Sequence, residues 1–366
     1  MPIPSPNRVR SLLPGDRPLS LLNSAGEWTG STDLASPTDT EMMLLHRAMV
    51  RGRRFDAQAG ALVRQGELAV YPSSRGQDAC QVGAALALTD QDWLFPTYRD
   101  AVAVVTRGVD PVEVLTMLRG EWHCGYDPYR HRVAPQCTPL ATNALHAVGL
   151  AHAARYKGED TVALVLLGDG ATSEGDTHEA LNFAAVWGCP VVFLVQNNGY
   201  AISVPLAKQT AAPSLAAKGI GYGIPSVLID GNDAPAVFSA VRAAVTSART
   251  GDGPTLIEAV TYRMESHTNA DDATRYRSAD EVRQWAAKDP IDRLQHYLID
   301  RDLLDDAELR DVENAAEEFA ASFRERLLTG AKSDPADLFR WVYAEPTMQL
   351  QAQATLLNEE LIGSQS

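Results

Sequence analysis

Two short apolar runs, "TVALVLL" at 161–167 and "PVVFLVQ" at 190–196, each stop abruptly at polar residues. The first ends in Gly168-Asp169-Gly170 and the second in Asn197-Asn198-Gly199, with one helix's worth of chain, 174–187, between them. Further along, "PSVLID" predicts a strand at 225–230, residues 233–249 a helix, and "PTLIEAVTY" a strand at 254–262. Strands alternating with helices predict an α/β fold, a parallel sheet with helices on both faces.

Upstream, a helix is expected from Asp39 to Gln65, because it opens on Thr38-x-x-Glu41, a capping-box pattern, and closes at Gly66. "GQDACQVGAALAL" and "PVEVLTMLRG" read as helices, and "DWLFPTYRD" as a strand running into a loop. "TPLATNALHAVGLAHAARYKG" predicts a helix with Thr138 as N-cap and Pro139 at its first position, its Ala/Gly-rich body suited to close packing. After a polar loop at 264–278 the chain reads as helical to its end. Residues 1–38, rich in Pro, Ser, Gly and Thr, predict an extended arm. The expected division is therefore an arm at 1–38, an α/β domain at 39–335 and a helical tail at 336–366. No internal repeat or low-complexity tract interrupts it.

Composition narrows the function classes. The 366 residues are 45% hydrophobic and 22% charged, ordinary globular values, with a formal charge of -15. Such an acidic chain does not offer the basic face that nucleic acid or an anionic membrane wants. Cys80, Cys124, Cys137 and Cys189 form no CxxC pair, which suits reduced thiols better than disulfides or zinc. The start, "MPIPSPNRVRSLLPGDRP", has prolines where a signal peptide needs an apolar core, and no apolar run reaches membrane-spanning length. A soluble, cytoplasmic protein is expected.

The polar strand ends carry the candidate chemistry. If 161–167 and 190–196 are neighbouring parallel strands joined by one helix, both carboxyl ends open on the edge where α/β sheets bind ligands. Asp169 and Asn198 would then face one another, two hard oxygen donors of the kind Mg²⁺ takes when phosphate and water complete its shell. Gly168 and Gly170 let the backbone approach a phosphate, and a helix starting near Ser173 would point its amides at it. A bare Gly-Asp-Gly does not suffice, since Gly251-Asp252-Gly253 repeats it in a loop. A dinucleotide fingerprint would need glycine at Ser173, and no P-loop is present.

With Asn197-Asn198 beyond the helix, the chain resembles the thiamine diphosphate-dependent 2-oxo acid dehydrogenases, specifically the alpha subunit of their decarboxylating first component. Branched-chain members are the most similar. The stretches that carry this are "GDGATSEGDTHEALNFAA", "QNNGYAIS", "GYGIPSVLIDGND" and "TYRMESHTNADDATRYRS". The resemblance implies Asp169, Asn198 and the Tyr200 carbonyl as Mg²⁺ ligands, and Tyr98 and Arg99 as holders of the diphosphate. It implies Thr138, Leu140, Gly168, Gly170 and Ala171 as neighbours of the cofactor, Leu140 supporting its bent shape. His267 becomes the catalytic residue that also touches the cofactor, orienting or protonating the adduct, a task suited to an imidazole titrating near neutrality.

Some positions depart from the family. Gln196 replaces an arginine of some branched-chain members, and Thr97 a glutamine. Cys137 and Asn143 replace residues that bind potassium in some relatives, and Thr268 stands where animal enzymes carry a phosphorylated serine. Only one convincing α/β unit is present, whereas the family's cofactor needs a second that supplies an activating glutamate. The resemblance puts that unit on a beta subunit, in an α₂β₂ assembly that passes the acyl group of a branched-chain 2-oxo acid to a lipoyl acyltransferase. A pyruvate or acetoin dehydrogenase subunit, and a non-catalytic diphosphate-binding subunit, are the alternatives.

Overall fold

The computed structural model describes residues 12–121, 124–329, 334–340 and 342–363. Its strands are β1 (Trp93–Phe95), β2 (Ala163–Gly168), β3 (Val191–Asn197), β4 (Tyr200–Ala201), β5 (Val204–Pro205), β6 (Ser226–Asp230) and β7 (Thr255–Val260). Five of them form one parallel sheet in the order β1-β2-β3-β7-β6, and β4 and β5 make a separate antiparallel pair. β2, β3, β6 and β7 lie within one or two residues of where the apolar runs predict them, and β1 falls within the expected strand-to-loop passage, whereas the runs do not predict the short β4 and β5.

The helices are α1 (Asp39–Arg64), α2 (Asp78–Leu86), α3 (Ala101–Thr106), α4 (Pro111–Arg119), α5 (Pro128–His131), α6 (Thr142–Lys157), α7 (Gly175–Trp187), α8 (Ala234–Arg249), α9 (Ala279–Ala286), α10 (Pro290–Asp300) and α11 (Asp306–Thr329). The chain divides into two compact units, Met1–Glu325 and Arg326–Ser366; the second contains the end of α11, α12 (Asp337–Arg340) and α13 (Met348–Gly363). Among the described residues no helix is long and apolar enough to cross a membrane.

Side chains alternate between the two faces along a strand, so a sheet covered twice needs apolar residues at every position. That is what β2 and β3 supply. Val165, Leu167, Phe193 and Val195 pack with Ala144, Ala147, Val148 and Ala151 of α6 and Ala180, Leu181 and Ala184 of α7. Leu164, Leu166, Val192 and Leu194, of opposite parity, are buried too, and α8 packs across β3, β6 and β7. The small residues of α6 let it sit close to the sheet, as their run along the sequence implies.

Local chemistry sets several boundaries. Glu41 N–H donates to Thr38 Oγ1 at 3.3 Å and Thr38 N–H donates to Glu41 Oε2 at 2.7 Å, a complete capping box at the start of α1. Thr138 caps nothing, contrary to its expected role. α6 begins only at Thr142, after Ala141 with φ 65°. The reason is tertiary: Cys137 bridges Thr97 beyond β1, and Tyr98 N–H donates to Cys137 O at 3.0 Å, so the chain is still extended where a helix would have to start.

Described from residue 12, the N-terminal segment lies on the free edge of β6. Leu19 exchanges backbone hydrogen bonds with Leu228 and Asp230, each 2.9 Å. Leu21 and Leu22 are buried, and their N–H groups donate to Asp233 Oδ2 at 2.6 and 2.8 Å. The other Asp233 oxygen accepts from Ala236 N–H at 3.2 Å and caps α8. The first eleven residues of the expected arm lie outside the described residues.

This topology brings three strand ends together. Gly168 pairs with Gln196 and Asn197 with Val260. The ladder runs on through Thr261 N–H to Asn197 O at 2.9 Å and Arg263 N–H to Asn198 O at 3.4 Å, which carries the loop after β7 to the same edge.

Candidate active site

A cavity of about 480 Å³ opens at this edge. Of the residues expected at a site, Tyr98, Arg99, Leu140, Gly168, Asp169, Gly170, Ala171, Asn198, Tyr200 and His267 all line it. Thr138 is exposed and does not. Gly251-Asp252-Gly253 lies elsewhere, with Asp252 accepting from Ser247 Oγ at 2.8 Å in a surface loop.

Asp169 is 1% exposed. Its Oδ2 accepts from Gln209 Nε2 at 2.9 Å, whereas Oδ1 is buried with no hydrogen-bond partner among the described residues. Burial pushes the carboxyl pKa up, and the Gln209 hydrogen bond, the nearby backbone N–H groups of Asp169 and Asn198 and the charge of Arg263 pull it back. An acceptor left unpaired in a dry site costs roughly 1–3 kcal/mol, which an ion would offset.

The chain leaves Asp169 in a 3₁₀ turn, Gly170–Ser173, and α7 starts only at Gly175, so it is this turn that meets the cavity first. Thr172 Oγ1 donates to Asp169 O at 2.8 Å, and Lys218 Nζ donates to Thr172 O at 2.9 Å, fixing the turn. A Cβ on Gly170 would lie 2.7 Å from Ala201 Cβ, so glycine there lets the β4–β5 segment close over the turn.

The two asparagines at the end of β3 face different ways. Asn197 Nδ2 donates to the buried Glu258 Oε1 at 2.7 Å and ties β3 to β7. Asn198 lines the cavity, its Nδ2 donating to Gln77 Oε1 at 2.9 Å and its Oδ1 accepting from Tyr200 N–H at 3.3 Å. The Tyr200 carbonyl accepts from Arg263 Nη1, also at 3.3 Å.

Arg99 is 5% exposed and reaches the loop beyond β7. Its Nη1 donates to Ser73 O at 3.0 Å, and its Nη2 donates to His267 O at 2.9 Å and lies 3.1 Å from His267 Nδ1. A guanidinium has only donors, so Nδ1 accepts and the neutral ring carries its proton on Nε2. Burial, then the charges of Arg99 and Arg263, push the His267 pKa down to about 4. An imidazole titrating near neutrality is therefore not what the structure contains. The sequence does not show that the ring is part-buried against Arg99 with the charge of Arg263 nearby.

The family model described as Dehydrogenase E1 component matches residues 46–324. The chain belongs to that family. It is 50% identical over 317 residues to the 3-methyl-2-oxobutanoate dehydrogenase subunit alpha of Mycobacterium tuberculosis, covering 87% of this chain and 86% of that one. It is 36% identical over 345 residues to the pyruvate dehydrogenase E1 component subunit alpha of Staphylococcus aureus, covering 93% of each.

Membership of the E1 family implies use of thiamine diphosphate, and the cavity fits such a group. Arg99, Arg263 and Lys208 offer positive charge to a diphosphate, Leu140, Ile202 and Val204 offer apolar walls, and Asp169 Oδ1 has no hydrogen-bond partner among the described residues. Gln77, Gln209 and Arg263 also belong to this E1 cavity, and motif reading misses them as site residues. Arg263 sits inside a family-like stretch and was open to notice. Gln77 and Gln209 stand in unremarkable loop and helix-start sequence and give no signal.

Because the folded pKa of His267 lies below the ordinary 6.5, its contribution to stability is present above pH 6.5 and is lost as pH falls toward about 4. Nitrogen-15 NMR of the ring in the cofactor-free chain should show a protonated Nε2 and a midpoint near 4. Arg99→Ala should move that midpoint up. A wild-type midpoint near 6.5 would mean a solvated ring without the arginine contact.

Proposed function

We propose that the chain is the cytoplasmic alpha subunit of a branched-chain 2-oxo acid dehydrogenase, the decarboxylating E1 component, working with a beta subunit in an α₂β₂ assembly. The acyl group passes to the lipoyl arm of an acyltransferase. The observation that carries the chemistry is the unpartnered, buried Asp169 Oδ1 in the same cavity as Asn198, Arg99 and His267. The substrate class follows from the higher identity to the relative named for 3-methyl-2-oxobutanoate than to the pyruvate relative.

Asp169, Asn198 and the Tyr200 carbonyl would hold Mg²⁺. Those are three oxygen donors, so phosphate and water would complete the octahedral shell that Mg²⁺ prefers. Tyr98 and Arg99 would hold the diphosphate, with Gly168, Gly170 and Ala171 allowing close backbone approach and Leu140 supporting the cofactor. When bound, thiamine diphosphate supplies the electron sink that makes decarboxylation of a 2-oxo acid feasible. His267, neutral at physiological pH, offers its Nε2–H as a hydrogen-bond donor to a substrate oxygen, and Arg99 fixes that tautomer. The beta subunit would bring the activating glutamate and the rest of the acyl pocket.

Two measurements test this. Asp169→Ala should keep the fold and lose Mg²⁺-dependent thiamine diphosphate binding, read by calorimetry; unchanged affinity would remove the cation assignment. With the beta subunit present, kcat/KM should be higher for 3-methyl-2-oxobutanoate than for pyruvate by at least roughly 10- to 200-fold, the range that one methylene of apolar contact gives, because the branched acid carries two more carbons. A preference for pyruvate would make the chain a pyruvate dehydrogenase subunit.

A further inference from the structure

Behind Asn198 runs a line of buried amides that ends on a buried carboxylate. Asn198 Nδ2 donates to Gln77 Oε1 at 2.9 Å, Gln77 Nε2 to Gln196 Oε1 at 2.9 Å, and Gln196 Nε2 to Asp100 Oδ1 at 2.7 Å. The other Asp100 oxygen accepts from Thr97 N–H at 2.7 Å and Thr97 Oγ1 at 2.6 Å. Gln77, Gln196 and Asn198 are at most 6% exposed, and Asp100 is fully buried. Elements far apart in sequence thus meet here: the start of α2, the loop after β1 and the end of β3.

A side-chain amide has two ends of nearly equal shape and opposite hydrogen-bonding sense. In a closed row of amides, the orientation of one dictates that of the next. We propose that Asp100, Gln196 and Gln77 are positioning residues that set the polarity of Asn198, so that its oxygen rather than its NH₂ is presented to the cation site. The proposal rests on the reading of Asp169 and Asn198 as cation ligands.

An ionised carboxylate accepts only, so Gln196 must turn its NH₂ to Asp100 and its oxygen to Gln77. Gln77 must then turn its NH₂ to Gln196 and its oxygen to Asn198. Asn198 is left to donate through Nδ2, which frees Oδ1 for the cavity side, where the Tyr200 N–H meets it at 3.3 Å. Inside a dry protein a reversed amide anywhere in the row would set two like ends against each other, so the row turns as a unit. Glutamine at 196 is what makes an all-amide row possible.

The test exploits the reversibility of that logic. In Asp100→Asn, the Thr97 N–H still demands an oxygen, so the new NH₂ faces Gln196. Every amide in the row then reverses, and Asn198 points NH₂ at the ion. Adding Gln77→Glu moves the carboxylate two places along the row. The new amide at position 100 donates to Gln196, and Gln196 donates to the new carboxylate at position 77. That carboxylate accepts from Asn198, as the wild-type glutamine oxygen does. All hydrogen bonds are satisfied, and the Asn198 oxygen is restored to the ion.

Binding of Mn²⁺, read by electron paramagnetic resonance on the assembled enzyme with thiamine diphosphate, should be about ten-fold or more weaker in Asp100→Asn, the cost usual when a group orienting a metal ligand is lost. The Asp100→Asn/Gln77→Glu double variant should return to the wild-type value, which a merely structural role for Asp100 would not produce. Wild-type affinity in Asp100→Asn, or a double variant as weak as the single, would overturn the proposal. If Asp100→Asn does not fold, the double variant alone decides, because it must still bind Mn²⁺ as the wild type does. Asp169→Ala separates the two levels: if it keeps Mn²⁺ affinity, the cation reading itself has failed, whereas its loss of binding alongside an unaffected Asp100→Asn removes only the amide row.

Discussion

A parallel sheet covered by helices on both faces has its carboxyl edge as the place where polar side chains can gather without entering the core. Here that edge carries a buried carboxylate whose Oδ1 has no partner among the described residues, Asp169. A hidden acceptor without a donor opposes folding, and its neighbourhood is arranged around it rather than against it. Gln209 holds the other oxygen, the 3₁₀ turn is pinned by Thr172 and Lys218, and glycine at 170 lets the β4–β5 segment close in. The unpartnered oxygen sits at the edge, whereas the sheet beneath it is apolar and buried.

The same edge separates structural from chemical duties among like residues. Asn197 binds β3 to β7 through Glu258, and its neighbour Asn198 faces the cavity. Arg263 braces the backbone of 200–202 by donating to Tyr200 O and Ile202 O, whereas Arg99 fixes the His267 ring. Positive charge that disfavours a protonated imidazole would suit an anionic cofactor, so Arg99 and Arg263 add to the effect of burial in lowering the His267 pKa and leave the cavity fitted to a diphosphate.

Long apolar runs made the sheet legible, because a strand buried on both faces can be written in few other ways. The "ALVLLG" and "VVFLVQN" strands, the α1 capping box and the convergence of Asp169 and Asn198 all follow from local pattern. Thr138 shows where locality ends: its cap-like Thr-Pro sequence loses to the bridge between Cys137 and Thr97, a contact between segments about forty residues apart in the chain. His267 shows the same limit in electrostatics, since its pKa is lowered first by burial and then by Arg99, brought from another segment, and by Arg263 of its own. Gln77 and Gln209 carry no sequence signal at all, because an amide's role depends wholly on what it faces.

The ends of β2 and β3 are proposed to hold together a cation for the diphosphate of the E1 cofactor. Crystals of the assembled enzyme grown with thiamine diphosphate and Mn²⁺ in place of Mg²⁺ test it directly through the anomalous signal of manganese. The peak should lie within bonding distance of both Asp169 Oδ1 and Asn198 Oδ1, with the diphosphate completing its shell. A peak elsewhere, or a bound cofactor with no ion touching Asp169, would contradict it.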